Sequence, residues 1–328
     1  MSTLTSFLID DAFDLYYKRL YYPAIEAFLE TKKMSPTNSL ILIGLGLCFD
    51  SIGHHEQAVD YFTRAITLNP SSGYFYYYRA KSAAMVNNRA EFAVKDAKKA
   101  VNLLFPYLNA EELICFANRD EKERIKKIGG SILRSGFYLS IKGNENIIFL
   151  MPRLSTYRII LKPGKLRINK TKQRLMKNRG DDYKLKFISD FDYIFERCKN
   201  YHKDTGINNV MFMKDLYYLF SLMNGKEDAP RAVCTALYNK NTNKIAAGDI
   251  GVIIGKVFSS YTAFYEKEES DSGNILFIKL ARFLEDKYSF WDLGPDCTPQ
   301  IENYKLNYNA EIRYYTPQFL RMFNSEDE

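Results

Sequence analysis

Between Leu45 and Pro70 apolar and small residues return every three or four positions, the spacing of one face of a helix. The same offsets recur about 34 residues away. Leu45-Gly46, Phe49, Ala58, Phe62, Ala65 and Pro70 are matched upstream by Ala12, Leu15, Ala24, Phe28 and Pro36. Downstream, Ala80 and Ala83 keep the register, and Ala93, Ala97 and Ala100 follow one residue late. Small residues let two helices approach closely while a Phe on the same face fills the groove between them. The pattern therefore predicts paired helices over residues 1–105. Gly44 and Gly46 fall inside one of them as packing residues, and His54 and His55 fall in a turn. Next, "NAEELICFANRDEKERIKKIGG" predicts a helical connector over 106–130 that stops at Gly-Gly.

From residue 131 the period changes. "GFYLSIKGNENIIFLMPR" predicts two strands around a turn, and "TYRIILKPGKLRI" predicts another pair around Pro163-Gly164. "KTKQRLMKNR" reads as a basic helix, "DYKLKFISD" as a strand, and "DFDYIFERCKNYHKD" and "MFMKDLYYLFSLMN" as helices. A hairpin about "NKNTNK" leads into further strand, then the helix "NILFIKLARFLEDKY" and the strand "SFWDLGP". Inside the hairpin, "AAGDIGVIIGKVFSSYTAFYE" is apolar enough for a buried strand yet carries Gly248, Gly251 and Gly255. Glycine weakens a strand interior, so its recurrence points to bulges or to close approach of another group.

The repeating first part resembles three tetratricopeptide repeats, which implies a protein or peptide partner on a concave surface. The aromatic run "YFYYYRA" reads mainly as inter-helix packing with a few exposed tyrosines. The order of the second part, with two helices, antiparallel strands, a helix and a final strand, is that of the N-acetyltransferase-like fold. In that fold the central strands part to admit an acyl donor. The expected class is thus α+β: an N-terminal all-α repeat domain and a C-terminal acetyltransferase-like mixed α/β domain (131–328) with a splayed central sheet.

Within that domain "SGFYLSIKGNENIIFLMPR", "DYKLKFISDFDYIFERC", "IAAGDIGVIIGKVFSSYTAFYE" and "FWDLGP" resemble, in order, blocks of the bacterial leucyl/phenylalanyl-tRNA–protein transferase family over about residues 131–322. The resemblance implies transfer of a hydrophobic amino acid from aminoacyl-tRNA to the N-terminal amine of a protein, marking it for degradation. The tRNA would be a co-substrate and no cofactor would be needed. It further implies that Asp292 orients the amine and that Tyr261 stands where the family has a glutamate. Gly294 replaces a glutamine, and Phe149 and Leu150 fall where paired tryptophans lie beside the 3′ adenosine. "YKLNYNAEI" is also similar to the related peptide-bridge enzymes, with Lys305, Tyr308 and Asn309 at the positions of a Lys-x-x-aromatic-Gly motif.

Aminolysis of an ester needs a neutral, well-held amine and donors for the oxyanion. Asp292 is the expected amine holder, Tyr261, Ser259 and Ser260 are candidate donors, and Gly248, Gly251 and Gly255 form the expected donor-binding strand. A CoA-dependent relative would carry Gln/Arg-x-x-Gly before a helix, and no Gln or Arg here has glycine three positions on. The altered Glu and Gln positions leave a second expectation, a repeat scaffold whose transferase-like domain has lost turnover.

Charge adds a partner. The net +7 is concentrated between Arg153 and Lys186, where bases far outnumber the two acids, Asp181 and Asp182. Lys162, Lys165, Arg167, Lys170, Lys172, Arg174, Lys177 and Arg179 crowd one short span, which predicts a polyanion, and the resemblance names it as tRNA. Five scattered cysteines without a CxxC pair argue against disulfides and zinc and for a reducing, cytoplasmic setting. Three histidines make a metal site unexpected, and no apolar run is long enough to span a membrane.

Overall fold

The computed structural model describes residues 3–155, 157–204, 210–223, 230–295, 299–314, 319 and 323. Six helices come first: α1 (Thr3–Tyr17), α2 (Tyr21–Met34), α3 (Ser39–Ser51), α4 (His55–Leu68), α5 (Gly73–Ala83) and α6 (Ala90–Leu104). They form three packed pairs, α1 with α2, α3 with α4 and α5 with α6. Ala12, Ala24, Phe28, Ala58, Phe62, Ala65, Ala80, Ala83, Ala93, Ala97 and Ala100 are all completely buried, as the repeating offsets require. Gly44 and Gly46 are packing residues. A Cβ at 44 would overlap the Phe28 ring and one at 46 the Phe62 ring. Asn38 caps α3 by accepting the Leu40 amide at 2.9 Å. His54 and His55 stand at the start of α4, His55 Nδ1 lying 2.9 Å from Asp50 Oδ1.

The connector departs from expectation. It contains a strand, β1 (Cys115–Asn118), before α7 (Lys122–Arg134). Helix α7 also runs straight through Gly129-Gly130, where Gly129 accommodates the Leu219 side chain 3.1 Å from its Cβ position. The real stop is at Gly136, whose φ is 82°. There the Gly136 amide bonds Leu133 O at 2.9 Å and the Phe137 amide bonds Ile132 O at 3.2 Å. This is the paired closure of a Schellman end.

Two compact units result: residues up to Ile128 with Ser140–Leu154, and Gly129–Leu139 with everything from Ser155. The hairpin β2 (Tyr138–Gly143) and β3 (Ile147–Arg153) forms a three-stranded sheet of order β1-β3-β2. It was expected to open the second domain at 131, but most of it belongs to the first unit. The reason is pairing: β3 is zipped to β1 from Cys115↔Leu150 to Asn118↔Ile147, and β1 lies against α6. Phe149 and Leu150 are thereby buried in the first unit's sheet.

The second unit continues with β4 (Tyr157–Leu161), α8 (Lys170–Arg179), β5 (Tyr183–Ile188), α9 (Phe191–Asp204), α10 (Val210–Met223), β6 (Arg231–Asn239), β7 (Ile245–Ile254) and β8 (Val257–Tyr265). It closes with α11 (Ser272–Leu284), β9 (Phe290–Pro295), α12 (Pro299–Leu306) and β10 (Glu311–Tyr314). The chain is therefore a mixed helix-and-sheet protein. Only one strand of the expected pair about Pro163-Gly164 exists, because a 3-10 turn, Pro163–Lys165, follows β4. Helix α12 was not foreseen. Seven strands lie in the order β10-β4-β9-β8-β7-β6-β5. Neighbours are antiparallel except β8 and β9, which are parallel and joined through α11. A parallel pair needs such a crossover. Helix α11 covers one sheet face with Phe277, Ile278, Leu280 and Leu284 packed on Trp291, Leu293 and Phe258. No helix among the described residues is long and apolar enough to cross a membrane.

Candidate functional site

The glycines of β7 are crowded by the protein's own rings. A Cβ at Gly248 would lie 2.6 Å from the Phe264 ring and 3.0 Å from Thr235 O; one at Gly251 would lie 2.8 Å from Phe258 and from Ser259 O. Gly255 is not on the strand at all: it sits in the tight β7–β8 turn with φ 51°. Of the bulges or close approach that the three glycines suggested, close approach is found at two. The approaching groups at Gly248 and Gly251 are Phe264 and Phe258, and at Gly255 the demand is the turn's left-handed backbone.

The opening lies one strand over. β8 and β9 pair only at Val257↔Phe290, Phe258↔Trp291 and Ser259↔Asp292. Just beyond, β8 carries a bulge: Ile250 faces Thr262 and Gly251 faces Ser260, so Tyr261 is the extra residue. Such an insertion sends two consecutive side chains to one face. The Tyr261 ring meets Tyr138 at 4.2 Å and Phe220 of α10 at 5.0 Å between centroids, while Thr262 Oγ1 lies 2.7 Å from His202 Nε2 of α9. Where the parallel strands part there is a cavity of about 700 Å³, lined among others by Asp249, Ser260, Tyr261, Trp291, Leu293 and Tyr304.

Asp292 does not line this cavity. Strand alternation puts it on the face opposite Trp291 and Leu293, which pack under α11. It is fully buried and ion-paired with Arg158, whose Nε donates to Oδ1 at 3.1 Å. The Ser259 hydroxyl donates to Oδ2 at 3.2 Å and the Gly294 amide to Oδ1 at 3.0 Å. Arg158 also donates to Gly136 O at 3.1 Å and lies 3.9 Å from the Tyr138 ring centroid. A carboxylate so committed holds β4, β8 and β9 together. The expected amine holder and its neighbour Ser259 thus stand inside a structural network.

Ser260 and Tyr261, by contrast, do reach the cavity. The Trp291 indole N–H donates to Ser260 Oγ at 2.9 Å, and Ser260 O accepts from the Tyr138 hydroxyl at 2.5 Å. Lys305 of α12 reaches the same space and donates to Leu293 O at 2.5 Å. Asn309 has φ 73°, a left-handed conformation that asparagine adopts more readily than most residues.

The residue that sequence reasoning passed over is Asp249. It is 4% exposed, its Oδ1 has no hydrogen-bond partner among the described residues, and burial pushes its carboxyl up to about 7 against the lowering hydrogen bond of Ser260. The signal was present: it is the one charged residue within "IAAGDIGVII", a strand buried almost throughout. Beside it, burial lowers His202 and raises the Cys198 and Cys234 thiols. Among the described residues no group of three His, Cys, Asp or Glu could hold a metal, and Cys297 lies outside them.

The basic span is partly surface and partly packing. Lys165, Arg167, Lys170, Arg174 and Lys177 are exposed. Asn169 caps α8 through the Lys172 amide at 2.9 Å, and no residue of α8 is buried. Lys162, half-buried, lies 5.5 Å from the Phe290 ring centroid. Lys172 rests 3.4 Å from the Tyr308 ring centroid and 5.6 Å from that of Tyr304, a cavity residue. Burial lowers its pKa. Arg179 donates to Ser270 O at 2.8 Å and to the Tyr183 hydroxyl at 2.7 Å. In the first unit, α5 turns Tyr77 inward, where its hydroxyl accepts the Leu154 amide at 3.3 Å; Tyr74 stays exposed.

No protein-family model and no curated protein matches this chain. Solved structures similar to it include MamA of AMB-1, 24% identical over 30% of this chain and 58% of that one, with a TM-score of 0.29. The chain thus spans little more than half of MamA. The first tetratricopeptide domain of Spaghetti (RPAP3), bound to the HSP90 peptide SRMEEVD, is 18% identical over 32% of this chain and 82% of its own, at 0.30. The translocator chaperone SycD of Yersinia enterocolitica type III secretion is 18% identical over 33% and 74%, at 0.31. The repeat character of α1–α6 rests on their own register and burial.

Proposed function

We propose that the second unit is an acyltransferase of acetyltransferase-like architecture. Its donor is the aminoacyl end of a tRNA, its acceptor is the amine of a protein, and the helical repeats recruit that protein. The observation that carries the reading is the parting of the parallel pair β8/β9 after Ser259 and Asp292, beside the bulge at Tyr261, into a cavity of about 700 Å³. Its size suits a small acyl group together with its terminal nucleotide. The exposed bases of α8 and its flanks supply charge for an RNA backbone, and Lys172 links that surface to the cavity wall at Tyr304. Because an ester is already activated, holding amine and carbonyl together contributes on the order of 10⁵ M in effective concentration without a strong base. Ser260, whose side chain lines the cavity, is the candidate donor. Asp292 serves by fixing the strands that form it.

The test is incubation with radiolabelled Leu-tRNA or Phe-tRNA and a peptide library, with Leu293→Phe as the cavity-narrowing control. Label should appear on at least one peptide and fall tenfold or more in the control. No label, or label indifferent to the control, counts against transfer. A second reading, a repeat scaffold without turnover, is favoured by the commitment of Asp292 to Arg158 and by the aromatic rings packed over Gly248 and Gly251. Absence of label with retained tRNA binding is its outcome.

A further inference from the structure

We infer that the cavity holds the primary ammonium of a hydrophobic amine against Asp249. On the acyl-transfer reading, on which the naming of this ligand rests, it is the free α-amine of the aminoacyl group awaiting transfer. The site has the parts of such a receptor. Asp249 lines the cavity, is more than nine-tenths buried, and carries a carboxylate oxygen with no partner among the described residues. A buried carboxylate of this kind either keeps its proton or takes a counter-charge, since an uncompensated charge costs several kcal/mol.

The nearby cationic and imidazole groups have other engagements. Lys305 Nζ donates to Leu293 O at 2.5 Å, and His202 Nε2 lies 2.7 Å from Thr262 Oγ1. The Ser260 hydroxyl bonds this carboxyl, so one part of it is engaged, and the partner for Oδ1 comes with the ligand. The other walls say what it is attached to. Phe277 and Trp291 lie 4.5 Å apart between ring centroids, and Tyr304 meets Phe277 edge-on at 5.9 Å. These rings touch one another and together give the cavity an apolar wall that suits an apolar side chain, and ring faces attract an ammonium further. A phosphate or carboxylate next to Asp249 would be repelled, so the anionic part of an acyl-RNA must point out of the cavity.

Trp291 is the only tryptophan of the chain and lines the site, so its emission reports binding directly. The probe is phenylalaninamide, which has the ammonium and the apolar side chain but no carboxylate. N-acetylphenylalaninamide lacks only the ammonium. Phenylalaninamide should change Trp291 emission saturably. Acetylation of the probe should weaken its Kd at least tenfold, and Asp249→Asn should do the same to the unacetylated probe. Equal affinity for the two probes, undiminished binding by Asp249→Asn, or no saturable change with phenylalaninamide overturns the inference. The comparison of probes uses the unaltered protein, so it stands even if the variant misfolds. No tRNA or acceptor is present, so failure here rejects the ammonium site and leaves transfer to be judged by labelled tRNA.

Discussion

If Asp249 is a carboxyl held in the wrong environment for its charge, replacing it should stabilise the second unit, and by more as pH rises. Burial pushes its carboxyl up to about 7, whereas an unfolded aspartate titrates near 4. Between those values the folded chain keeps a proton that the unfolded chain has lost. Stability therefore falls as pH rises through this window and is spared below it. About three pH units at ~1.4 kcal/mol each gives about 4 kcal/mol in all, of which about 2.5 kcal/mol falls between pH 5 and pH 8. Asp249→Asn removes the titration while keeping the shape. Urea unfolding followed by Trp291 emission is the assay, because that residue is buried in the second unit and is blind to the repeats. The stability of the variant relative to the parent should climb by about 2.5 kcal/mol from pH 5 to pH 8. Parallel pH profiles for the two proteins would refute the placement of Asp249 in an apolar, uncompensated setting.

Asp292→Ala should lower the stability of the second unit by ~3–5 kcal/mol, because Arg158 is left charged and buried without its partner. A smaller loss in the same urea assay would show that the ion pair does not hold the strands. Gly44→Ala should cost ~1–3 kcal/mol, since the added methyl falls within the Phe28 ring. Far-UV circular dichroism on thermal unfolding reads it, and an unchanged transition would argue against that packing. Reversing Lys170, Arg174 and Lys177 to Glu should weaken tRNA binding and flatten its dependence on salt by roughly one power of salt concentration per lost phosphate contact. A slope unaltered by all three changes would remove α8 from the interface.

The repeats were legible because their information is local and redundant. Ala58, Phe62 and Ala65 have meaning only at helical spacing, and a second copy at Ala24 and Phe28 repeats it. The hairpin turn "NKNTNK" and the strands beside it were legible for the same reason. The connector was misread where a non-local partner decided: "ICFAN" became a strand because β3 arrived to pair with it. Gly129 and Gly130 stayed helical because Leu219 and the rest of α7 packed around them, and Gly136, with left-handed backbone, ended the helix instead.

The site divides in the same way. Sequence by itself settled that most of residues 246–266 is strand, with bulges or close approach to explain its glycines, that positive charge gathers on α8, and that small residues set the helix pairs. These follow from side-chain volume, period and sign, which a linear string carries. It could not settle what pressed on Gly248 and Gly251, since Phe264 and Phe258 come from the next strand in a register that a one-residue bulge shifts. Nor could it tell Asp249 from Asp292. Both are acids in apolar strands, but one meets a buried arginine brought by β4 from 134 residues away and the other faces a cavity. A charge takes its chemistry from its dielectric surroundings and its partners, and those exist only once the strands have been laid side by side.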